Sequence, residues 1–384
     1  MKIGIVCYPT FGGSGVVATE LGMELAEKGH EVHFITYSQP VRLDHFKRNV
    51  FFHEVIVSDY PLFDYPPYEL VLTSKLVNVV KYEKLDLLHV HYAIPHASAA
   101  CMAQQILESH GIYIPIVTTL HGTDITLVGR DASFEPVITH AINRSNAVTA
   151  VSESLKNDTL DHFGVQREIN VVPNFIRLDR FQTTSNSYRK QYAPDGERVL
   201  VHISNFRKVK RVEDVVRVFA KVREKLPLRL LFVGDGPERN NIEGLCRRLK
   251  TCDDIRFLGK MKTTEKVLAS ADLFLLTSET ESFGLAALEA MASGVPVVST
   301  NSGGLPEVNQ HGFSGLLSDV GDVDDMAVNA LHILEDETRL QQFKEQARLQ
   351  AAKFDIESVL PAYEAVYRNA LEKTRASVKT VPSN

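Results

Sequence analysis

Two glutamates, Glu281 and Glu289, stand eight residues apart around an apolar segment, Phe283-Gly-Leu-Ala-Ala-Leu288. The run Asp272-Leu-Phe-Leu-Leu-Thr277 precedes them, and Gly294, Pro296 and Val297-Val-Ser-Thr300 follow. The pattern predicts strand, polar turn, small-residue helix and strand, with Ser282 as N-cap and Phe283 and Gly284 in the first turn. Such a helix start offers free backbone N–H groups to an anion. Along a helix, eight residues separate the carboxylates by roughly 12 Å. The paired carboxylates of a glycoside hydrolase stand about 5–9.5 Å apart, so that chemistry fits poorly. The spacing suits instead the two ends of one elongated, hydroxyl-rich ligand with an anionic middle. A nucleotide-sugar has this form: sugar at one glutamate, diphosphate at the helix start, ribose at the other.

A second cluster could meet the same diphosphate. Ser204-Asn-Phe-Arg-Lys-Val-Lys-Arg211 places four cations within five positions, between a predicted strand and a predicted helix. Cations there stabilise charge growing on a leaving phosphate, although a solvated basic turn would read the same way. Lys210 is preferred to Lys208 and Arg211 because it lies just before the helix. No Asp-x-Asp motif suggests a bridging metal, and Asp253-Asp254 precedes a strand, at the wrong end. No metal and no cofactor are therefore expected.

Other candidates sit at predicted strand ends in the first half. Gly13, Gly15 and Ala18 satisfy G-x-G-x-x-A after the first strand, yet the second strand lacks the acidic residue that would bind an adenosine ribose. The loop is read as one that lets backbone approach a ligand, with Ser14 offering a hydroxyl. Tyr92 and His121 stand at two strand ends, and Thr119 precedes His121 on the same strand face. His89 and His91 form H-x-H, but His89 begins inside an apolar strand and is expected in the core. His96 is expected to line the site.

These residues need a scaffold. The chain has 384 residues, more than one core usually supports, so two domains are expected. Strands near 2–8, 31–37, 51–57, 85–92, 114–121 and 147–152 alternate with helices near 69–83, 95–110 and 134–144. A second series has strands near 199–204, 228–233, 255–259, 272–277 and 296–300, with helices at 211–226, 237–250 and 263–270. Helices near 323–337, 339–353 and 356–372 close the chain. Residues 179–197 read as linker and 373–384 as a frayed tail. Continuous apolar strands alternating with helices predict two parallel, doubly wound α/β domains with ligands at the carboxyl ends of the strands. Lys and Arg total 42 against 48 Asp and Glu, for a net charge of −6, which disfavours nucleic acid as a partner. No apolar run approaches the ~18 residues of a membrane span, and the N-terminus enters a strand without a signal peptide. Cys7, Cys101, Cys246 and Cys252 lack C-x-x-C spacing, so reduced, buried thiols in a cytoplasmic protein are expected.

In this setting, Glu281 to Glu289 resembles the E-x7-E signature of the retaining GT4 glycosyltransferases. The resemblance implies the GT-B fold, two Rossmann-like domains facing across a cleft. It implies an acceptor domain at 1–172, a donor domain at 173–355, and a terminal helix of about 356–384 packing back on the first. It carries Arg207 and Lys210 over as the diphosphate cations, though the family spacing is Arg-x4-Lys and here it is Arg-x2-Lys. His121, from the His-Gly of Leu120-His-Gly-Thr-Asp124, would position the donor sugar or reacting centre. Asn205, Gly13, Gly15, Arg256, Phe257, Phe283, Gly284 and Leu285 would line the donor, with backbone near 256–260 at the base. Gly303-Gly304-Leu-Pro-Glu307 resembles the family loop facing the donor. Retention, with a phosphate oxygen taking the acceptor proton, also comes from the resemblance.

The acceptor stays open on chemistry alone. The segments Gly12-Gly-Ser-Gly-Val16, Tyr65-Pro-Pro-Tyr68, His89-Val-His-Tyr-Ala-Ile-Pro-His96, Thr118–Thr126 and His202–Arg211 resemble one branch of the family. Its members move GlcNAc from UDP-GlcNAc to L-malate, the step that begins bacillithiol synthesis. On that likeness Ser14, Tyr92 and Thr119 would hold the malate carboxylates. An inositol phosphate, sugar or lipid acceptor, a non-catalytic nucleotide-binding protein and a homodimer are the alternatives kept.

Overall fold

The structure, a computed structural model, describes residues 1–10, 12–44, 47–57, 64–181 and 188–379. The chain forms two compact units. Unit 1 takes Met1–Asn174 and recovers the chain at Ile356, where the long C-terminal helix Ile356–Lys379 begins. Unit 2 is Phe175–Asp355. Its two ends are hydrogen-bonded to each other, Ile176 N–H donating to Phe354 O at 3.0 Å.

Unit 1 contains β1 (Lys2–Val6), β2 (Glu31–Thr36), β3 (Val50–Glu54), β4 (Leu87–His91), β5 (Ile116–Leu120), β6 (Ala147–Ala150) and β7 (Ile169–Val171). They form one parallel sheet in the order β3-β2-β1-β4-β5-β6-β7. The order reverses between β1 and β4, the switch point where an open α/β sheet parts its loops. Every residue of β4 and β5 is buried, as expected of strands covered on both faces. The C-terminal helix belongs to this core: Tyr363 and Tyr367 are fully buried, and Tyr367 Oη lies 2.8 Å from His89 Nδ1.

Unit 2 contains β8 (Arg198–Ile203), β9 (Leu228–Val233), β10 (Ile255–Phe257), β11 (Leu273–Leu276), β12 (Val297–Thr300) and β13 (Gly315–Ser318). They form a second parallel sheet, β10-β9-β8-β11-β12-β13. Asp272, just before β11, is 2 % exposed and joins three elements. It accepts Arg189 Nη2 at 2.7 Å, Val199 N–H at 3.0 Å and Lys344 Nζ at 3.0 Å. Burial alone would raise its pKa, but Lys344 and Arg189 outweigh burial and lower it.

Several expectations need correction. Strand β13 was missed because Gly-Leu-Leu-Ser is four residues long and holds no β-branched residue. The helix Glu153–His162 was missed because it is almost wholly polar; its start is fixed by Ser152 Oγ accepting from Leu155 N–H at 3.0 Å. The tail expected to fray from 373 continues as helix to Lys379, and 380–384 lie outside the described residues. Within the linker expected at 179–197, residues 182–187 lie outside the described residues; short turns Leu178–Phe181 and Arg189–Tyr192 flank them. Cys246 and Cys252 are not free thiols but a disulfide. The helix Arg239–Arg248 ends and turns back, so their Cα atoms stand 5.1 Å apart, within bonding span. Cys7 and Cys101 are free and buried.

Candidate active site

In unit 2 the loops after β8 and β11 meet. A 3-10 turn, Lys208–Lys210, follows β8, and Arg211 adopts a left-handed φ of 46°. Thr277 Oγ1 sits against the backbone oxygens of Lys210 and Arg211 at 2.9 and 3.0 Å. Glu279 N–H donates to Val209 O at 2.8 Å. Clamped in this way, Lys210 Nζ reaches Glu281 Oε1 at 2.5 Å, and Ser278 Oγ donates to the same oxygen at 3.0 Å. Two residues 71 positions apart thus form a half-buried ion pair. Arg211 turns elsewhere, Nε to Asp214 Oδ2 at 2.7 Å. Arg207 and Asn205 are exposed, and among the described residues Arg207 makes no ion pair. The neighbouring cations therefore differ in their surroundings: Lys210 is paired with Glu281, Arg211 with Asp214, and Arg207 is exposed.

The helix does not begin where the sequence suggested. Ser282 is not its N-cap: Gly284 is, at φ 98°, and the helix runs Leu285–Ala292. A positive φ delays the first turn by two residues. Phe283 stays outside as a buried anchor, edge-on to Phe354 at 5.6 Å. Glu281 consequently lies in the preceding loop and only Glu289 is on the helix, so the helical rise no longer sets their separation. Ala287 and Leu288 N–H donate to Gly284 O at 2.9 and 3.1 Å. The N–H groups of residues 283–286 precede the ladder, and the helix start keeps its affinity for anions. At the other end, Val295 N–H to Ala290 O and Gly294 N–H to Met291 O, both 2.9 Å, close a Schellman cap with Gly294 at φ 74°. Glu289 accepts from Thr264 Oγ1 at 3.4 Å.

Gly303-Gly304 is more than a turn. Gly304 N–H donates to Glu281 O at 2.8 Å. A Cβ at Gly303, φ 62°, would stand 2.1 Å from Glu281 O, and one at Gly304 2.4 Å from Ser282 O. Gly303→Ala is expected to displace the Glu281 backbone by up to about 1 Å, which costs about 100-fold in turnover. A steady-state assay beside a melting curve checks this. Unchanged turnover in a folded variant would remove the loop from the site.

Arg256 is exposed on β10. The Phe257 ring is stacked on Phe232 at 5.1 Å and capped by the Arg239 guanidinium at 4.0 Å. That leaves backbone, not the ring, for a ligand beside this strand end.

In unit 1, Gly12 caps the helix Gly13–Glu27, and Gly13 is exposed in its first turn. A Cβ on Gly15 would meet Tyr8 O at 2.4 Å, so this loop closes tightly on the strand end. Tyr92, at φ 84°, donates its hydroxyl to Ser14 Oγ at 2.7 Å. For a tyrosine such a backbone stores roughly 1–3 kcal/mol of strain, of the kind that gathers at functional sites. Thr119 does not join them. Its hydroxyl has no exposure and is held by His89 Nε2 and Thr149 Oγ1, each at 2.7 Å. Expected to bind the acceptor, Thr119 instead binds its neighbours; on a strand covered on both faces, the residue under the rim points into the protein.

His121 Nε2 is 2.8 Å from His91 Nδ1. Burial, then His96, drives the His121 pKa down to about 3, so it is a neutral imidazole at neutral pH. Burial holds His91 well below the usual value too, followed by His89 and His121. His89 packs in the core as expected, at about 3. His96 is fully buried, at about 4, with Nδ1 2.5 Å from His91 O, and does not line the site. Asp124 joins this cluster without having been expected there. Its carboxylate accepts Ala93 N–H at 2.8 Å and Gly122 N–H at 3.1 Å, tying the loop after β4 to that after β5. Burial pushes its pKa up to about 6 against four backbone donors. The signal was present: an acid two residues after a strand-end His-Gly.

Three kinds of likeness to known proteins bear on the family and the fold. The family described as Glycosyltransferase Family 4 matches residues 11–180, and Glycosyl transferases group 1 matches 184–350. The chain is 49% identical over 374 residues to the N-acetyl-alpha-D-glucosaminyl L-malate synthase of Bacillus anthracis, covering 97% of each chain. It is 26% identical to the D-inositol 3-phosphate glycosyltransferase of Corynebacterium kroppenstedtii, covering 94% of this chain and 86% of that one. The crystal structure of Anabaena HepE with UDP and glucose superposes with a TM-score of 0.81 at 20% identity, covering 96% and 99% of the two chains. Among the described residues, no helix is long and apolar enough to cross a membrane.

Proposed function

The chain belongs to glycosyltransferase family 4, with the GT-B fold and a hexosyl-transferring activity, and from that premise we propose that it moves GlcNAc from UDP-GlcNAc to L-malate. The malate hydroxyl oxygen bonds to the anomeric carbon as the bond to the β-phosphate oxygen breaks. The electron pair stays on that phosphate, an oxygen of the leaving UDP takes the hydroxyl proton, and GlcNAc-malate departs with retained configuration. UDP-GlcNAc is a substrate, and no cofactor enters the proposal. The reaction belongs to the cytoplasm, at the head of bacillithiol synthesis.

The observation that carries this reading is the Lys210–Glu281 pair beside the exposed Arg207. Without ligand, Glu281 neutralises Lys210. A diphosphate arriving at Arg207 and the helix start competes for Lys210, and Glu281 is then released to accept sugar hydroxyls. Glu289 takes the ribose, Asn205 and the backbone of Gly284 and Leu285 line the phosphates, and backbone at Arg256 and Phe257 meets the base. In unit 1, Gly13 and Gly15 present backbone, Ser14 and Tyr92 hold the malate carboxylates, and neutral His121 positions the sugar.

The test is UDP release from UDP-GlcNAc with and without L-malate. Malate-dependent release with a GlcNAc-malate product supports the proposal; release no faster than without acceptor overturns it. The inositol-phosphate relative supplies the second reading, so D-inositol 3-phosphate belongs in the same panel. Sedimentation of the active protein distinguishes monomer from homodimer.

A further inference from the structure

We propose that unit 1 carries a divalent-cation site, of a chemistry suited to Zn2+, at the edge of its sheet, formed by His33, His53 and Glu83. His33 lies on β2 and His53 on the edge strand β3. The register pairs His33 with Phe51 and Ile35 with His53, so the two histidines are diagonal neighbours on one face. His33 Nδ1 is 2.9 Å from His53 Nε2, with the rings only 16° from parallel. Glu83 ends the helix Tyr68–Glu83, and one ligand atom from each of the three residues lies within 4.8 Å of the other two.

The surroundings settle which nitrogen is free. His33 Nε2 is 3.0 Å from Glu31 Oε1, an oxygen that also takes Lys2 Nζ at 2.7 Å. A carboxylate accepts only, so the His33 proton is on Nε2 and the Nδ1 lone pair faces His53. A carboxylate behind the far nitrogen of a histidine is the arrangement that orients metal-bound imidazoles. Without an ion, the His53 Nε2–H occupies the gap. Zinc bonds of about 2.0–2.1 Å set ligand atoms roughly 3.3 Å apart, so the histidines need separate by only a few tenths of an ångström. Two imidazoles and one carboxylate favour Zn2+ over Ca2+ or Mg2+. His33 is fully buried, while His53 and Glu83 are partly exposed, which leaves water a fourth position. Phe51 stacks on His33 at 4.8 Å and fixes its ring. The bound ion would join the edge strand to its neighbour and to a helix end, stabilising the fold by mass action.

The experiment uses full-length protein stripped by a chelator, titrated with Zn2+ against a chromophoric competitor and separately with Co2+. One equivalent should bind, and Co2+ should give the intense visible absorption of a four-coordinate site. His53→Gln and Glu83→Gln should each abolish the equivalent, and Glu31→Gln should weaken it about 10- to 100-fold. Circular dichroism and melting of the variants in chelator should match the parent. Absence of binding by the parent, an octahedral Co2+ spectrum, or binding that survives both ligand substitutions overturns the proposal and leaves the histidines as a hydrogen-bonded pair.

Discussion

Replacing Arg207 by alanine is expected to lower kcat by about 100- to 1,000-fold, the loss typical of removing one group aimed at transition-state charge. The guanidinium is exposed and makes no ion pair among the described residues, so stability should change by no more than about 0.5 kcal/mol. A loss of turnover without a loss of stability would assign Arg207 to the reaction and not to the fold. Glu281→Gln has a more specific signature. It removes the charge that holds Lys210 at 2.5 Å in the unliganded protein, which leaves the ammonium free to meet a diphosphate. UDP should therefore bind more tightly while turnover falls, because the amide holds sugar hydroxyls less well than the carboxylate. Calorimetry with UDP beside steady-state kinetics separates the two effects. Weaker UDP binding with unchanged kcat would mean that Glu281 only braces the loop.

Acid should begin to destabilise this protein at about pH 6.5, above the ordinary carboxylate range. Burial lowers the pKa of His89 and His121 to about 3 and of His96 and His202 to about 4, with His91 well below the usual value. Folded, these imidazoles stay neutral as the pH drops through 6.5; unfolded, they take up protons there. The unfolded state then binds more protons, so stability falls as pH falls across this window. Asp124 works the other way: its pKa of about 6 lies above the unfolded value, so its protonation favours the folded state in the same range. Up to about four protons remain uncompensated, a limiting slope on the order of 5 kcal/mol per pH unit. A total stability of roughly 5–15 kcal/mol is exhausted within a few units. Denaturant unfolding at pH 7.5, 6.5 and 5.5 measures the slope; a flat profile would mean these histidines are protonated in the folded state.

The sequence and the structure agree wherever a signal was local and strong. Apolar runs such as Leu273–Leu276 and the Gly294 stop mark their elements because burial on both faces and a positive φ leave little choice of residue. The choice of Lys210 among four cations rested on its place before a helix, and the fold turns that side chain to Glu281. What was hidden depends on non-local geometry. Thr119 has the residue type of a ligand contact, but whether a hydroxyl faces out or in depends on His89 and Thr149, which lie on other strands. Ser282 looked like a cap because serine is a good one; Gly284 two residues later overrides it through a conformation that sequence pattern does not display. The Cys246–Cys252 bond and the His33–His53 contact each depend on a turn or register that no spacing rule encodes.

The paired ends of unit 2 have a consequence for construction. Ile176 and Phe354 are joined by a hydrogen bond of 3.0 Å, so the 180 or so residues between them form a loop already closed at its neck. Closing such a loop costs little that the fold has not already met. A relative's counterpart could replace this segment without new joints, as a cassette held at two adjacent points. On the roles proposed for the two units, chimeras cut there are expected to take their nucleotide-sugar preference from the insert and their acceptor from the frame that receives it.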